Sequence, residues 1–135
     1  QDPAQFGPQP AHIHIERYIP QTLLFARCDL VLTHGGSDTV MAALTHGLPM
    51  VIVPITADQP ENAERCAALG VAQVIPLAAL SVERAAEAVR EVLEQAHYRQ
   101  AAERMHDEIA ALPGPEYAVK LLERLVTEKQ ALLTA

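Results

Sequence analysis

The chain has 135 residues, half of them hydrophobic and a fifth charged, which is the length and composition of one globular domain. Its formal net charge is −7 and its only lysines are Lys120 and Lys129, so it has no basic stripe to hold a nucleic-acid backbone or an anionic membrane. We therefore expect no nucleic-acid or membrane partner, and an anionic ligand would have to be bound by backbone amides, helix N-termini and hydroxyl groups.

The two cysteines, Cys28 and Cys66, lie far apart and match no metal-ligand spacing. They are typical of free or buried thiols in a reducing compartment. No apolar run approaches the roughly 20 residues that span a bilayer, and the first residues do not show the basic, apolar and small-residue series typical of a signal peptide. A soluble, cytoplasmic protein is expected.

The first elements in chain order are short. Residues 1–11 are rich in Pro and Gln and predict a loop or the end of a fragment. Polar and apolar residues alternate over 12–19, which predicts a strand, and 22–28 predict a short helical turn. The β-branched runs 29–34 and 49–55 are typical of strands buried on both faces of a parallel sheet.

Helices are predicted after these two strands. The first begins at Ser37 and has Gly47 just past its end, and the second begins with Asp58 as a cap, Glu61 completing a capping box, and ends at Gly70. Strand–helix alternation of this kind predicts an α/β fold, a Rossmann-like parallel sheet with flanking helices. The remaining predicted elements are a strand at 71–77 and helices at 81–96, about 98–111 and 116–133.

Two polar loops follow the neighbouring buried strands, and ligands of doubly wound sheets bind at the carboxyl ends of such strands. The first loop is His34-Gly35-Gly36-Ser37-Asp38-Thr39. Its glycines let the backbone approach a ligand, and the following helix start suits a phosphate. The alternative is an ordinary tight turn in which Ser37 or Asp38 caps the helix.

The second loop contains Asp58-Gln59, for which two interpretations remain open. Asp58 is a good helix cap with Glu61 as its partner. A carboxylate and an amide at a strand end could equally bind vicinal hydroxyls of a ligand. Asn62, one helical turn further on, could orient this loop or lie on the helix surface.

The stretch "HGGSDTVMAALTHGLPMVIVPITADQPENA" and the preceding "ERYIPQTLLFARCDLVLTHGG" resemble the nucleotide-sugar signature of GT-B glycosyltransferases of family 1, the bacterial antibiotic and macrolide type. "LPGPEYAVKLLERL" resembles the C-terminal helix of the bacterial members. The resemblance covers about residues 12–125. It implies the C-terminal, donor-binding half of a GT-B fold.

The resemblance also implies residue roles. His34 would contact the donor diphosphate, the adjoining loop would complete the phosphate cradle, and Asp58 with Gln59 would bind hydroxyls of the donor sugar. Tyr18 falls near the position where plant members stack a tryptophan on the base, although the following segment is shorter here. The implied donor-binding residues are Tyr18, Ile19, Gln21, His34, Gly35, Gly36, Ser37, Thr39, Asp58 and Gln59.

Two positions depart from the family pattern. Ala42 stands where many uridine-diphosphate-sugar enzymes carry a glutamate that holds ribose hydroxyls. The deoxyribose of a thymidine-diphosphate sugar has no 2′-hydroxyl to be held. This departure therefore favours a thymidine-diphosphate deoxysugar as the donor, with a uridine-diphosphate sugar as the other candidate. Asp38 replaces a usual Gly or Asn, and beside a diphosphate its carboxylate is unfavourable unless it points away.

The expected domain organisation is therefore a partial one, with residues 12–135 forming part of the C-terminal nucleotide-sugar-binding domain. Its first strand–helix–strand unit and the N-terminal acceptor domain, which carries the general base, would be absent. Exposed apolar strand edges would follow. We expect such a chain to self-associate or to pair strand 12–19 with 29–34.

The implied reaction is inverting transfer of a sugar from a nucleotide diphosphate to a hydroxyl of a small-molecule natural product. The scheme needs no cofactor and no metal, and the chain by itself would be inactive because it holds no catalytic base. The alternatives are a donor-binding subunit of a two-chain glycosyltransferase, a related sugar-nucleotide enzyme, or a non-catalytic sugar-nucleotide-binding module.

Overall fold

Strands and helices alternate along the computed structural model, which describes residues 2–128. The strands are β1 (Val31–Thr33), β2 (Met50–Ile52) and β3 (Ala72–Val74). The helices are α1 (Gln21–Phe25), α2 (Ser37–Thr45), α3 (Gln59–Ala68), α4 (Val82–Glu94), α5 (Ala96–Ala110) and α6 (Pro115–Glu128), with short 3₁₀ turns at Pro3–Phe6 and Leu77–Ala79.

The three strands form one parallel sheet in the order β1-β2-β3. Leu32 lies opposite Val51, and Val51 lies opposite Gln73. The α/β Rossmann-like fold is thereby confirmed. β2 is shorter than its β-branched run at 49–55, because the end of that run continues into the polar loop at the carboxyl end.

Side-chain alternation along β2 divides the core between the two faces of the sheet. Met50 and Ile52 pack in a cluster that draws on α2, α3 and α5, whereas Val51 belongs to a second cluster with residues of α4. All three β2 side chains are fully buried. The prediction of burial on both faces is correct for β2 and wrong for β1, where Leu32 is 52% exposed.

The predicted strand at residues 12–19 is wrong. This segment has no strand, and all of its residues are exposed except Ile15, which is half-buried. It also does not pair with β1, which among residues 2–128 pairs with β2 alone. Alternating residues form a strand only where a sheet edge and an apolar surface receive them. Ile13 covers no such surface and stays 44% exposed.

The C-terminal helices agree with the prediction apart from their bounds. Ser81 caps α4 by accepting a 3.1 Å hydrogen bond from the backbone N–H of Arg84. The next helix begins at Ala96, two residues before the predicted start, and the predicted residues 129–133 of the last helix lie outside the described range. Among residues 2–128, no helix combines the length and apolar character needed to cross a membrane.

Candidate functional site

The loop between β1 and α2 depends on a glycine at position 35. Gly35 has φ +87°, a left-handed conformation that L side chains rarely adopt. A Cβ added there would lie 2.8 Å from Cγ2 of Ile52 in the neighbouring strand. Both the backbone angle and the close approach to β2 therefore require glycine, and the loop follows the sheet edge closely.

Gly36 has a different reason to lack a side chain. Its φ of −63° and ψ of 140° are ordinary for any residue. A Cβ on Gly36 would, however, lie 2.8 Å from Nε2 of His34. The imidazole of His34 thus lies across Gly36, at the entrance to the first turn of α2.

No side chain caps the N-terminus of α2, where Gly36 is the capping residue. The structural alternative of a Ser37 or Asp38 cap is therefore wrong, since both residues already belong to the helix. The first turn of a helix carries unpaired N–H groups and the positive end of the helix dipole. An anionic group placed above Gly36 would meet these N–H groups together with His34.

Asp58 occupies the N-cap position of α3 but its side chain does not cap the helix, so the capping interpretation that the sequence left open is wrong. Its backbone is helical rather than extended, and its side chain makes no capping bond. Instead, Oδ2 accepts a 2.6 Å hydrogen bond from Oγ of Ser37 and a 2.9 Å bond from Nδ2 of Asn62. These bonds, with Ser37 contributing most, lower the pKa of Asp58 below its usual value, and nearby His34 adds to the effect.

Gln59 supports the loop that carries Asp58. Its Oε1 accepts hydrogen bonds from the backbone N–H groups of Ile55, at 2.9 Å, and Thr56, at 3.0 Å. The loop also places Ala57 at φ +57°, a strained angle for a residue with a Cβ. In this structure the oxygen of Gln59 therefore stabilises the turn.

Asn62, left undecided by the sequence, joins the two loops. Its Nδ2 donates to the carbonyl of Gly35 at 3.0 Å and to Oδ2 of Asp58 at 2.9 Å, and it lies 3.2 Å from Oγ of Ser37. Because a carbonyl and a carboxylate only accept, the amide nitrogen must face them. The sequence feature that could have indicated this role is the position of Asn62, four residues after Asp58 and therefore on the same helical face.

Two open clefts meet at the carboxyl edge of the sheet. The smaller has a volume of about 330 Å³ and is lined by His34, Gly36, Ser37, Asp38, Thr39 and Asp58. The larger, of about 790 Å³, runs past β1 and shares His34 and Thr39 with the smaller one. Tyr18, Ile19 and Gln21 all line this larger cleft.

The predicted site residues therefore come together, with some in supporting positions. Gly35 and Gln59 shape the loops, and the other eight line a cleft. Tyr18 is 81% exposed, so its ring is free to meet a ligand. Ala42 lies half-buried against the core, and residues 2–128 contain no group of three His, Cys, Asp or Glu side chains that could hold a metal ion.

Several glycosyltransferases of known structure have the same fold as this chain. CalG4, the calicheamicin glycosyltransferase, aligns with 97% of this chain and 34% of its own at a TM-score of 0.89 and 29% identity. The glycosyltransferase VinC, crystallised in complex with DTDP, aligns with 93% of this chain and 32% of its own at a TM-score of 0.87 and 29% identity. The fold is thus that of a GT-B glycosyltransferase domain.

Sequence comparison agrees with the structural one. The chain is 36% identical to 4′-demethylrebeccamycin synthase of Lentzea aerocolonigenes over 92% of its own length and 30% of that protein. It is 37% identical to UDP-glucuronosyltransferase 3A2 of Homo sapiens over 68% of its length and 18% of that protein. The chain thus spans less than a third of the length of these relatives.

Residues 3–125 match the family model described as Erythromycin biosynthesis protein CIII-like, C-terminal domain. The chain belongs to this family, and the predicted macrolide-type, family 1 C-terminal region is confirmed.

Proposed function

We propose that this chain is the donor-binding part of an inverting glycosyltransferase that transfers a sugar from a nucleotide diphosphate to a hydroxyl of a small-molecule natural product. The observation that carries the proposal is the uncapped N-terminus of α2, which opens into the smaller cleft beside His34. Helix N-termini of this kind bind phosphate groups without needing lysine. This accounts for phosphate recognition in a chain of net charge −7.

The two clefts suggest how the donor is divided. The diphosphate would lie in the smaller cleft, against the first-turn N–H groups of α2 and the imidazole of His34, with Thr39 at the junction. The nucleoside would extend into the larger cleft, where Tyr18 offers an exposed ring for stacking and Ile19 and Gln21 lie beside it. The sugar would then reach Asp58, whose carboxylate accepts hydrogen bonds from hydroxyl groups.

We favour a thymidine-diphosphate deoxysugar as the donor. Ala42 offers no carboxylate to hold a ribose 2′-hydroxyl, and deoxyribose does not need one. Support also comes from neighbours crystallised with thymidine nucleotides, VinC with DTDP and the spinosyn rhamnosyltransferase SpnG with thymidine diphosphate. The similarity to UDP-glucuronosyltransferase 3A2 makes uridine diphosphate the competitor to be tested.

In the proposed reaction, an acceptor hydroxyl attacks the anomeric carbon of the sugar while the bond to the diphosphate breaks. A general base belonging to the acceptor side would take the proton from that hydroxyl. Negative charge builds on the departing diphosphate, where the amides of α2 and His34 would stabilise it. The contribution of this chain is thus donor orientation and leaving-group stabilisation, with no metal or cofactor in the scheme.

Calorimetric titration of the chain with thymidine diphosphate and uridine diphosphate tests the proposal. We expect saturable binding of both, with thymidine diphosphate preferred, and about a tenfold loss on His34→Ala from the missing hydrogen bond to a charged group. His97→Ala, which removes an exposed histidine of α5, is the matched control and should leave binding unchanged. Absence of binding to either nucleotide would refute the proposal, and a preference for uridine diphosphate would refute the choice of donor.

A further inference from the structure

Ser37, the first residue of α2, and Asp58, in the loop before α3, are 21 residues apart in sequence and share a 2.6 Å hydrogen bond. Because Asp58 carries an ionised carboxylate, the hydroxyl of Ser37 must be the donor. A serine hydroxyl has only one proton, and here it is donated to Asp58. The hydroxyl therefore has no proton left to donate to a phosphoryl oxygen while this bond persists.

Asn62 holds the same carboxylate from the opposite side. Its Nδ2 reaches Oδ2 of Asp58 at 2.9 Å and the carbonyl of Gly35 at 3.0 Å, so it joins α3 to the loop that follows β1. Oδ2 of Asp58 thus accepts two hydrogen bonds, whereas Oδ1 has no side-chain donor among residues 2–128. The two bonds to Oδ2 fix the orientation of the carboxylate, and no described side chain competes with a ligand for Oδ1.

We propose that Ser37 and Asn62 are positioning residues that hold Asp58 for the donor sugar, and that the hydroxyl of Ser37 serves this carboxylate rather than the donor phosphate. The inference rests on the proposed donor-binding function and deepens it. Ser37 still offers its backbone N–H to the phosphate as the first residue of α2. The diphosphate loop and the sugar loop then act as one unit, joined through three side chains.

The two roles for Ser37 predict different losses of affinity. A hydroxyl that contacts phosphate contributes equally to a nucleoside diphosphate and to its sugar conjugate. A hydroxyl that acts through Asp58 contributes only when the sugar is present. Thymidine diphosphate and thymidine diphosphate-glucose, titrated into the 135-residue chain and its variants by calorimetry, separate these cases.

For Ser37→Ala we expect little change in the affinity for thymidine diphosphate and about a tenfold loss for thymidine diphosphate-glucose. Asn62→Ala also frees the carbonyl of Gly35, so it should weaken both ligands, with the larger loss for the glucose conjugate. Ser37→Thr retains the hydroxyl and should recover the sugar-dependent affinity. Adding Ser37→Ala to Asp58→Asn should cause no further loss, because the partner of the hydroxyl bond has already been changed. Arg65→Gln removes an exposed ion pair with Glu61 on the same helix and should leave both affinities unchanged.

Equal weakening of both ligands by Ser37→Ala, or full additivity in the double variant, would overturn the inference while leaving the proposed function intact. Failure of the unsubstituted chain to bind either nucleotide would instead overturn the proposed function and the inference with it. Circular dichroism and thermal melting establish that each variant is folded. Asn62→Ala tests the same carboxylate from α3, so the outcome does not depend on one variant.

Discussion

Oγ of Ser37, at the start of α2, donates a 2.6 Å hydrogen bond to Oδ2 of Asp58, just before α3. The bond joins the loops that follow two adjacent parallel strands, β1 and β2. Asn62 reinforces the junction by reaching both Asp58 and the carbonyl of Gly35. The proposed phosphate site and the proposed sugar site are therefore fixed relative to each other before any ligand binds, which reduces the ordering needed on binding.

The pKa of Asp58 provides a test of this junction that needs no ligand. The hydrogen bonds from Ser37 and Asn62 lower it, and His34 adds a smaller electrostatic effect, while Asp38 lines the same cleft as a neighbouring acid. We expect Ser37→Ala and Asn62→Ala each to raise the pKa of Asp58, observed by an NMR titration of its carboxyl carbon. The control Arg65→Gln should leave it unchanged.

The sign of the linked pH effect follows from the direction of this shift. A carboxyl group whose pKa is lower in the folded chain stabilises the fold above its unfolded pKa, and this stabilisation is lost as the pH falls through the folded pKa. The sugar-dependent affinity should decline over the same acid range. In the Ser37→Ala variant the decline should begin at higher pH, and an unshifted profile would contradict the assignment.

Gly35→Ala should destabilise the fold strongly. The substitution forces an L residue to φ +87° and brings its Cβ to 2.8 Å from Cγ2 of Ile52, so angular strain and overpacking add. Gly7→Ala is the matched control, because Gly7 has φ +66° and a Cβ there would meet nothing within 4 Å. In urea denaturation, Gly35→Ala should lower the free energy of unfolding by about 1–3 kcal/mol more than Gly7→Ala. Equal losses of unfolding free energy in the two variants would show that the side chain of Ile52 moves to make room for the new Cβ.

Gly36→Ala should separate binding from stability. The backbone angles of Gly36 suit alanine, but the new Cβ would displace the imidazole of His34 from its position 2.8 Å away. We expect the melting temperature to change little and the affinity for thymidine diphosphate to fall by about as much as in His34→Ala. Unchanged affinity would mean that the ring is not required in this orientation.

Ala57→Gly should stabilise the chain by relieving the only positive φ found at a non-glycine residue between positions 2 and 128. The left-handed conformation is unfavourable for alanine by about 1 kcal/mol, and glycine adopts it freely. The flexibility that glycine adds to the unfolded chain offsets part of this gain. Thermal unfolding should show a small rise in melting temperature, and a fall would indicate that the methyl group of Ala57 makes a contact that outweighs the strain.

Transfer activity tests the proposed division of labour between donor and acceptor sides. A polypeptide of residues 1–135 alone should bind donor but release no free sugar and glycosylate no added alcohol, because the general base is expected outside these residues. Hydrolysis and transfer can both be followed by chromatographic detection of the released nucleoside diphosphate. Turnover above that of a His34→Ala variant would contradict the expectation and place a base within the chain.

The sequence by itself predicted the parallel strands β1, β2 and β3, the helices that follow them and the two strand-end loops. Continuous β-branched runs and amphipathic segments are local signals. For β2, the predicted burial on both faces of the sheet is confirmed. The long motif around His34 likewise predicted the family that the comparison with known proteins confirmed. These features depend on residues close together in the chain, so a local pattern carries them.

Only the tertiary structure decided what depends on distant partners. The alternation of residues 12–19 suggested a strand, but no sheet edge pairs with it, and strand formation needs that partner. Asp58 and Glu61 suggested a helix cap, yet Ser37 and Asn62 supply hydrogen bonds that the carboxylate accepts instead. A side chain with several possible partners bonds to those that the packing of β1 and β2 brings within reach. The spacing of residues along the sequence does not give the distance between the two loops.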